Sequence, residues 1–182
     1  VSGEALMERA AWHVAQAVQQ RARGRAGVTL CLCGTGNNGG DGLAAMRLLA
    51  KGDEAFQGVC WLAQGALSPD AERQLRRLEA EQPRVSVLRP TETDGLATPP
   101  GVACVIDAMF GTGLSRPLEG AAARWCALSN ELYARGVPVV AVDIPSGLNG
   151  ETGEACGEVV RATETVTFHR PKPGLYLGQG ID

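Results

Sequence analysis

Residues 28–42 have the sequence VTLCLCGTGNNGGDG, the strongest indication of the fold class. Its first six residues form an apolar run rich in strand formers, and the remainder is rich in glycine and asparagine. A helix-forming segment, residues 43–51, follows directly. This order of strand, tight loop and helix predicts the first unit of a parallel α/β sheet.

The same order of elements repeats along the rest of the chain. Further strands are predicted near residues 57–63, 85–88, 102–106, 137–142 and 165–168. One helix opens at Ser68-Pro69-Asp70, where a hydroxyl caps the first turn and a proline starts it. Strands that alternate with helices indicate an α/β fold, in which helices cover both faces of a mostly parallel sheet.

Two more helices complete the predicted pattern. The first precedes residue 28, ends near residues 23–27, and carries apolar residues at helical spacing: Leu6, Ala10, Val14 and Val18. The second lies between the strands at 102–106 and 137–142 and is marked by Ala121, Trp125, Leu128 and Leu132. Both are amphipathic and are expected to pack on the sheet.

Composition sets the class of protein. The chain has 182 residues, 45% of them hydrophobic, so residues 1–182 are expected to form a single domain with one sizeable core. The net charge of −3 excludes a nucleic-acid binder that works by bulk positive charge. No apolar run approaches the roughly 18 residues that span a bilayer, and no leader pattern opens the chain. We therefore expect a cytoplasmic protein without a membrane partner.

The six cysteines show no C-x-x-C spacing, which disfavours a metal-thiolate or dithiol site. Most of them, including Cys31 and Cys33 on one face of the first strand, are expected to be small buried thiols. The three tryptophans, Trp12, Trp61 and Trp125, are expected to be core residues.

Candidate functional residues follow three of the predicted strands. Ligands of an open parallel sheet bind beyond the carboxyl ends of its strands, near the point where the strand order reverses. The loops that leave from that edge are residues 34–42, 107–114 and 143–147. Two of them share the spacing Asp-x-x-x-Gly, starting at Asp107 and Asp143.

The first of these loops could hold a phosphate, because it matches G-x-G-x-x-G between a strand and a helix. That match alone is weak evidence for a phosphate site, and two observations argue against the common dinucleotide-binding and P-loop motifs. Asp53 lies before the second strand rather than at its end, where a dinucleotide-binding sheet holds its ribose, and no Gly-Lys-Ser/Thr sequence occurs. Asp41 is expected in the first turn of the following helix, as a helix-start carboxylate or as a functional group.

Asp107 and Asp143 each end an apolar strand, where lost hydration would raise the pKa of the carboxyl group toward neutral pH, as general acid or base chemistry requires. Each could instead cap loop amides. Oxygen atoms of Asn38, Asp107 and Ser146, together with loop carbonyls, suit a hard cation better than zinc or copper.

The remaining titratable candidates are weaker. Only two histidines occur, His13 within the first helix and His169 after the last strand, so a histidine-centred triad is disfavoured. Lys172 follows the last strand and could reach a phosphate or simply be solvated.

Five motifs in order resemble one family, the NAD(P)H-hydrate epimerases, also described as YjeF N-terminal domains. They are residues 6–8 (LME), 36–42 (GNNGGDG), 107–114 (DAMFGTGL), 143–147 (DIPSG), and 165–168 (TVTF) followed by Lys172. The resemblance covers nearly the whole chain. It implies a Rossmann-like three-layer sandwich that interconverts the R and S forms of NAD(P)HX, the hydrated form of NADH or NADPH, as a nicotinamide-nucleotide repair isomerase.

The resemblance also implies roles for individual residues. Asp143 matches the acid/base position, and Asn38, Asp107 and Ser146 match the positions that hold a potassium ion. Substrate contacts are implied for Asp143 and for two loops: Asn37, Asn38, Gly39, Gly40 and Asp41, and then Gly111, Thr112, Gly113, Leu114, Ser115, Arg116 and Pro117. A homodimer and a fused or separate nucleotide-dependent NAD(P)H-hydrate dehydratase are the implied partners.

Members of that family usually have additional sequence at both ends, so this chain is expected to be trimmed and could belong to a larger bifunctional one. Two other functions stay open at this stage. A non-catalytic nucleotide-binding or dimerisation scaffold of the same fold would use the same residues only for folding. An NAD-dependent dehydrogenase would need a ribose-binding acid at the second strand, which the sequence does not show.

Overall fold

Strands and helices alternate in the computed structural model, which describes residues 3–90, 97–114 and 116–181. In chain order they are α1 (Gly3–Ala22), β1 (Val28–Cys33), α2 (Asn37–Gly52), β2 (Gly58–Leu62), α3 (Pro69–Glu81), β3 (Ser86–Leu88), β4 (Val102–Ala108), α4 (Gly120–Ala134), β5 (Val139–Val142) and β6 (Glu164–Val166). Two 3₁₀ helices, Pro173–Leu175 and Gly178–Ile181, follow. The predicted α/β fold class is confirmed.

The six strands form one sheet in the order β3-β2-β1-β4-β5-β6, and every neighbouring pair is parallel. The chain builds outward from β1 to β3, returns to place β4 beside β1, and then builds outward again. The strand order therefore reverses between β1 and β4, which is where an open parallel sheet forms its ligand crevice.

Helices cover both faces of the sheet and create two cores. Helices α1, α2 and α3 cover one face, and α4 covers the other. The side chains of β1 alternate accordingly: Cys31 and Cys33 point to the first core, and Leu30 and Leu32 point to the second. The result is the expected three-layer sandwich.

Most of the predicted core residues are buried. Five of the six cysteines are buried and Cys156 is half-buried. Trp61 and Trp125 pack with their ring centroids 6.0 Å apart. The prediction is wrong for Trp12, which is 52% exposed on α1 and contacts the His13 ring edge-on.

Helix α2 begins at Asn37, six residues before the predicted start. The glycine-rich residues that resemble a loop in the sequence form the first turns of the helix. They are glycines because close packing leaves no room for side chains at these positions. A Cβ on Gly39 would lie 1.9 Å from the Gly34 carbonyl oxygen, and one on Gly42 would lie 2.6 Å from Ala108 Cβ. Asp41 consequently lies in the second turn, so its predicted place in the first turn is wrong.

The strand ends also differ from the prediction. Strand β4 continues through Asp107 to Ala108, so Asp107 is paired in the ladder with Leu32 and Ala141. Strand β5 starts at Val139 rather than residue 137, because Pro138 has no N–H group to donate to the ladder. β6 ends at Val166 rather than at residue 168. Within the described residues, no helix combines the length and the apolarity needed to cross a membrane.

Candidate active site

A cavity of about 850 Å³ opens at the carboxyl ends of the central strands. Its walls are the first half of α1, the start of α2, and the segments that follow β4, β5 and β6. Eight of the predicted substrate-contacting residues line it: Asn37, Asn38, Asp41, Gly111, Thr112, Gly113, Leu114 and Asp143. The sheet edge chosen from the sequence is therefore the edge that carries the cavity.

Four other predicted substrate contacts, Gly39, Gly40, Arg116 and Pro117, are not among the residues that line the cavity. Gly39 and Gly40 pack against Gly34 and Ala71 and support the start of α2. Arg116 and Pro117 do not belong to the cavity wall in this structure, and Pro117 lies next to Gly157. Ser115 falls outside the described residues. Substrate contact by any of these residues stays a prediction.

Asp107 and Ser146 form a buried polar cluster beneath the cavity. The carboxylate accepts hydrogen bonds from the Ser146 hydroxyl (2.7 Å), the Ser146 backbone N–H (2.8 Å) and the Met109 backbone N–H (3.3 Å). The Ser146 hydroxyl oxygen in turn accepts from the Phe110 N–H at 3.0 Å. One carboxylate thus ties the segment after β4 to the segment after β5.

The surroundings of Asp107 fit a cation. Its side chain is 0% exposed, and burial raises its pKa to about 6, against the lowering effect of the three hydrogen bonds. In the part of the chain that the structure describes, no basic side chain pairs with it. Asn38 Nδ2 is also buried without a hydrogen-bond partner among these residues. A buried carboxylate without a cationic partner, next to the Ser146 hydroxyl oxygen, suits a hard cation. Asn38 could bind such an ion only through its amide oxygen, because the unsatisfied Nδ2 is a hydrogen-bond donor.

The described residues do not favour a transition-metal centre. The described ranges contain no group of three or more histidine, cysteine, aspartate or glutamate side chains arranged to hold a metal ion. Asp107 is the one carboxylate in the predicted set, and its companions, Asn38 and Ser146, are neutral oxygen ligands. Such a set favours a weakly held hard cation over zinc or iron.

Asp143 is the first residue after β5, and its backbone is in the left-handed region with φ of 69°. Its N–H donates to the Val166 carbonyl at 2.8 Å, which ties it to the end of β6. The side chain is 17% exposed and forms an ion pair with Lys172. Asp143 therefore presents an ion-paired carboxylate to the cavity.

Asp41 is another carboxyl group in the cavity wall, which also contains Asp70. Burial, followed by the negative charges of Asp143 and Asp70, raises its pKa to about 7. Two carboxyl groups in one cavity thus differ in environment: one has a cationic partner, and the other is poised to change protonation near neutral pH. Such a difference is a recurrent basis for acid and base roles.

Several cavity residues are not among the predicted substrate contacts. Arg9 and His13 of α1 line it, as do Thr167, His169 and Lys172 after β6. Helical periodicity identifies the apolar face of α1, but it cannot show that another part of the helix borders a cavity. The contact between Lys172 and Asp143, 29 positions apart, had no sequence signal beyond the presence of both residues near strand ends.

Comparison with known proteins supplies the family. Residues 3–174 match the sequence model described as "YjeF-related protein N-terminus". The chain belongs to this YjeF-related family. The resemblance drawn from the five motifs is confirmed.

Named relatives of this YjeF-related chain include two bacterial proteins called NAD(P)H-hydrate epimerase. The one from Limosilactobacillus fermentum is 39% identical over 180 residues, which cover 96% of this chain and 79% of that protein. The one from Achromobacter xylosoxidans is 40% identical, with 95% and 81% covered. A third relative, the bifunctional NAD(P)H-hydrate repair enzyme Nnr of Thermofilum pendens, is 38% identical over 83% of this chain, but the match spans only 28% of that longer protein.

A solved structure confirms the fold of this YjeF-related chain. The crystal structure of yeast YNL200c superposes with a TM-score of 0.78 at 25% identity, covering 99% of this chain and 76% of the yeast chain.

Proposed function

We propose that this protein is an isomerase that interconverts the R and S forms of NADHX or NADPHX. The observation that carries the proposal is the Asp143 carboxylate in the wall of a cavity that also contains the start of α2 and the 111–114 segment. The names of the relatives that match nearly the whole chain support the same activity. A scaffold would need neither the cavity nor a carboxylate directed into it.

The chemistry requires one group that moves a proton. The hydrated carbon of NAD(P)HX carries a hydroxyl group and is bonded to the ring nitrogen, so breaking either bond and re-forming it on the opposite face inverts the centre. In the ring-opening route, Asp143 accepts the hydroxyl proton as a carbonyl forms and the carbon–nitrogen bond breaks; the electron pair of that bond goes to the ring nitrogen, which takes up a proton. The reverse proton transfers close the ring on the opposite face of the carbonyl. Asp41, whose pKa is raised to about 7, can hold a proton on the same cavity wall.

We further propose that Asn38, Asp107 and Ser146 hold a potassium ion. When bound, the ion supplies a positive charge that compensates the buried carboxylate. The protein's own contribution is to join the segments after β4 and β5 through the bonds of Asp107 to Ser146, so that Gly111 and Asp143 keep a fixed spacing across the cavity.

Partners and location follow as proposals of the same kind. The bifunctional relative, of which this chain matches 28%, supports an association with a second repair activity, for which the nucleotide-dependent dehydratase is the candidate. A homodimer and a cytoplasmic location stay predictions.

The test follows epimer-resolved NADHX by chromatography in potassium buffer, starting from an excess of one epimer. We expect the wild-type protein to accelerate the return to equilibrium. Asp143→Asn should lower kcat by about 10²- to 10⁴-fold, because it removes the acid/base group while keeping the side-chain shape. A wild-type protein that is folded by circular dichroism yet leaves the imbalance untouched would refute the epimerase and favour the scaffold.

A further inference from the structure

The ends of β5 and β6 share an unusual backbone feature. Among the described residues other than glycine, only Asp143 and His169 have a positive φ, of 69° and 62°. Each is spanned by a hydrogen bond between its two neighbours: Ile144 N–H to Val142 O at 2.8 Å, and Arg170 N–H to Phe168 O at 2.7 Å. These are γ-turns with the rare and strained sign of φ. Strain at two adjacent strand ends in the cavity wall suggests a functional constraint.

The two turns meet at Lys172. Its ammonium nitrogen donates to Asp143 Oδ1, to Thr167 Oγ1 at 3.1 Å and to Phe168 O at 2.8 Å. An ammonium group has three hydrogens, so this set uses its full donor capacity. Lys172 is therefore engaged by the protein itself, which argues against the predicted alternatives of a phosphate contact or a solvated side chain.

This arrangement makes the two oxygens of Asp143 different. Oδ1 accepts from Lys172 and from the Phe168 N–H at 3.3 Å. In the described part of the chain, no hydrogen bond reaches Oδ2, which lies 3.6 Å from the point where a Cβ on Gly111 would stand. Because Gly111 carries no side chain, the space next to Oδ2 stays open. The geometry thus reserves one oxygen for the structure and leaves the other for a ligand.

We propose that Lys172 is the positioning residue for Asp143: it fixes Oδ1 through the paired γ-turns so that Oδ2 is the oxygen that exchanges protons with the substrate. This inference rests on the proposed epimerase function. It assigns Lys172 no contact with substrate, and it predicts that geometry, in addition to charge, determines its effect.

A lysine suits this task better than an arginine. The three acceptors converge on a single nitrogen, which a compact ammonium group with three hydrogens can satisfy. A planar guanidinium group keeps the positive charge but spreads its donors over a rigid fork. Lys172→Arg therefore keeps the positive charge but changes the positions of the hydrogen-bond donors.

The experiment measures kcat and KM for NADHX epimerisation in the wild type and in three variants: Lys172→Met, Lys172→Arg and Lys51→Met. Lys51 is the only other lysine of the chain and lies exposed in the last turn of α2, so its variant is a matched control. We expect Lys172→Met to lower kcat about 10- to 100-fold, by analogy with the loss of groups that orient active-site ligands. KM should change by less than about threefold, since a transition-state interaction is lost.

Lys172→Arg should recover only part of kcat, and Lys51→Met should match the wild type. Wild-type turnover together with an unchanged kcat in Lys172→Met would overturn this inference alone, and so would full activity in Lys172→Arg. A loss confined to KM would also overturn it, because that pattern indicates substrate binding by Lys172. Absence of wild-type turnover in folded protein would overturn the proposed function and this inference together.

Discussion

The ends of β4 and β5 carry the same sequence pattern, but their aspartates differ in backbone conformation, burial and hydrogen-bond partners. Asp107 and Asp143 both begin an Asp-x-x-x-Gly segment on neighbouring parallel strands. Asp107 stays in the strand ladder, is 0% exposed and accepts three hydrogen bonds. Asp143 lies one residue beyond its strand, has a positive φ, and pairs with Lys172 in the cavity wall.

The difference shows that strand length decides what a carboxylate can do. β4 continues past its aspartate, so the ladder places that side chain under the surface, where it can tie loops together and compensate a cation. β5 ends one residue before its aspartate, so the chain turns at Asp143, which lines the cavity. We therefore predict a structural role for Asp107 and a chemical role for Asp143.

The largest expected effect on stability separates these roles. Asp107→Ala leaves the buried N–H groups of Met109 and Ser146 without their acceptor, and each lost buried partner costs about 1–3 kcal/mol. Because 1 kcal/mol moves the Tm of a domain this size by about 2–4 °C, we expect a fall of several degrees in thermal unfolding.

Asp143→Ala is the matched comparison. Its partner Lys172 is itself 18% exposed and can bind water instead, so its Tm should fall less than that of Asp107→Ala. An equal fall in Tm in the two variants, or a larger fall in Asp143→Ala, would contradict the structural role of Asp107.

A further effect on stability depends on pH and arises from Asp41. Asp41 has a pKa of about 7 in the folded protein against 3.8 as its ordinary value, so its ionisation disfavours the folded state. This unfavourable contribution is absent below about pH 4, builds up as the pH rises, and is complete above about pH 7. Asp41→Asn should therefore raise the Tm at pH 8 by several degrees, and the gain should shrink toward zero near pH 4.

The same variant can be made in the Asp143→Asn background. The charge of Asp143 is one of the causes of the raised pKa of Asp41, so the gain in Tm at pH 8 should be smaller there. A gain of equal size at pH 4 and pH 8 would show that Asp41 is not the titrating group.

Much of the fold follows from the sequence, because each strand is a short apolar run and α3 has its Ser68 cap. Ser68 Oγ does accept the Ala71 N–H at 3.2 Å. The start of α2 could not be predicted, because glycines at 39 and 42 look like a flexible loop. They are required by Gly34 and Ala108, which lie across the packed interface, and single-sequence patterns do not reveal such distant contacts.

The candidate site was predicted in part. Strand ends and family motifs identify Asn38, Asp107, Asp143 and Ser146, and the structure brings Asp107 and Ser146 into direct contact. The pairing of Asp143 with Lys172 depends on left-handed backbone at two residues that are not glycine. Aspartate and histidine adopt positive φ more often than most residues, but the sequence does not show at which positions they do so, and the pairing appears only in the structure.

The most direct test is the rate of NADHX epimerisation as potassium is titrated against sodium at constant ionic strength, for the wild type, Asp107→Asn and Asp143→Asn. We expect that the wild-type rate rises with potassium, that Asp107→Asn loses this response, and that Asp143→Asn is slow at every potassium concentration. Near-normal turnover by Asp143→Asn, or a wild-type rate indifferent to potassium, would contradict the division of roles between the two strand ends.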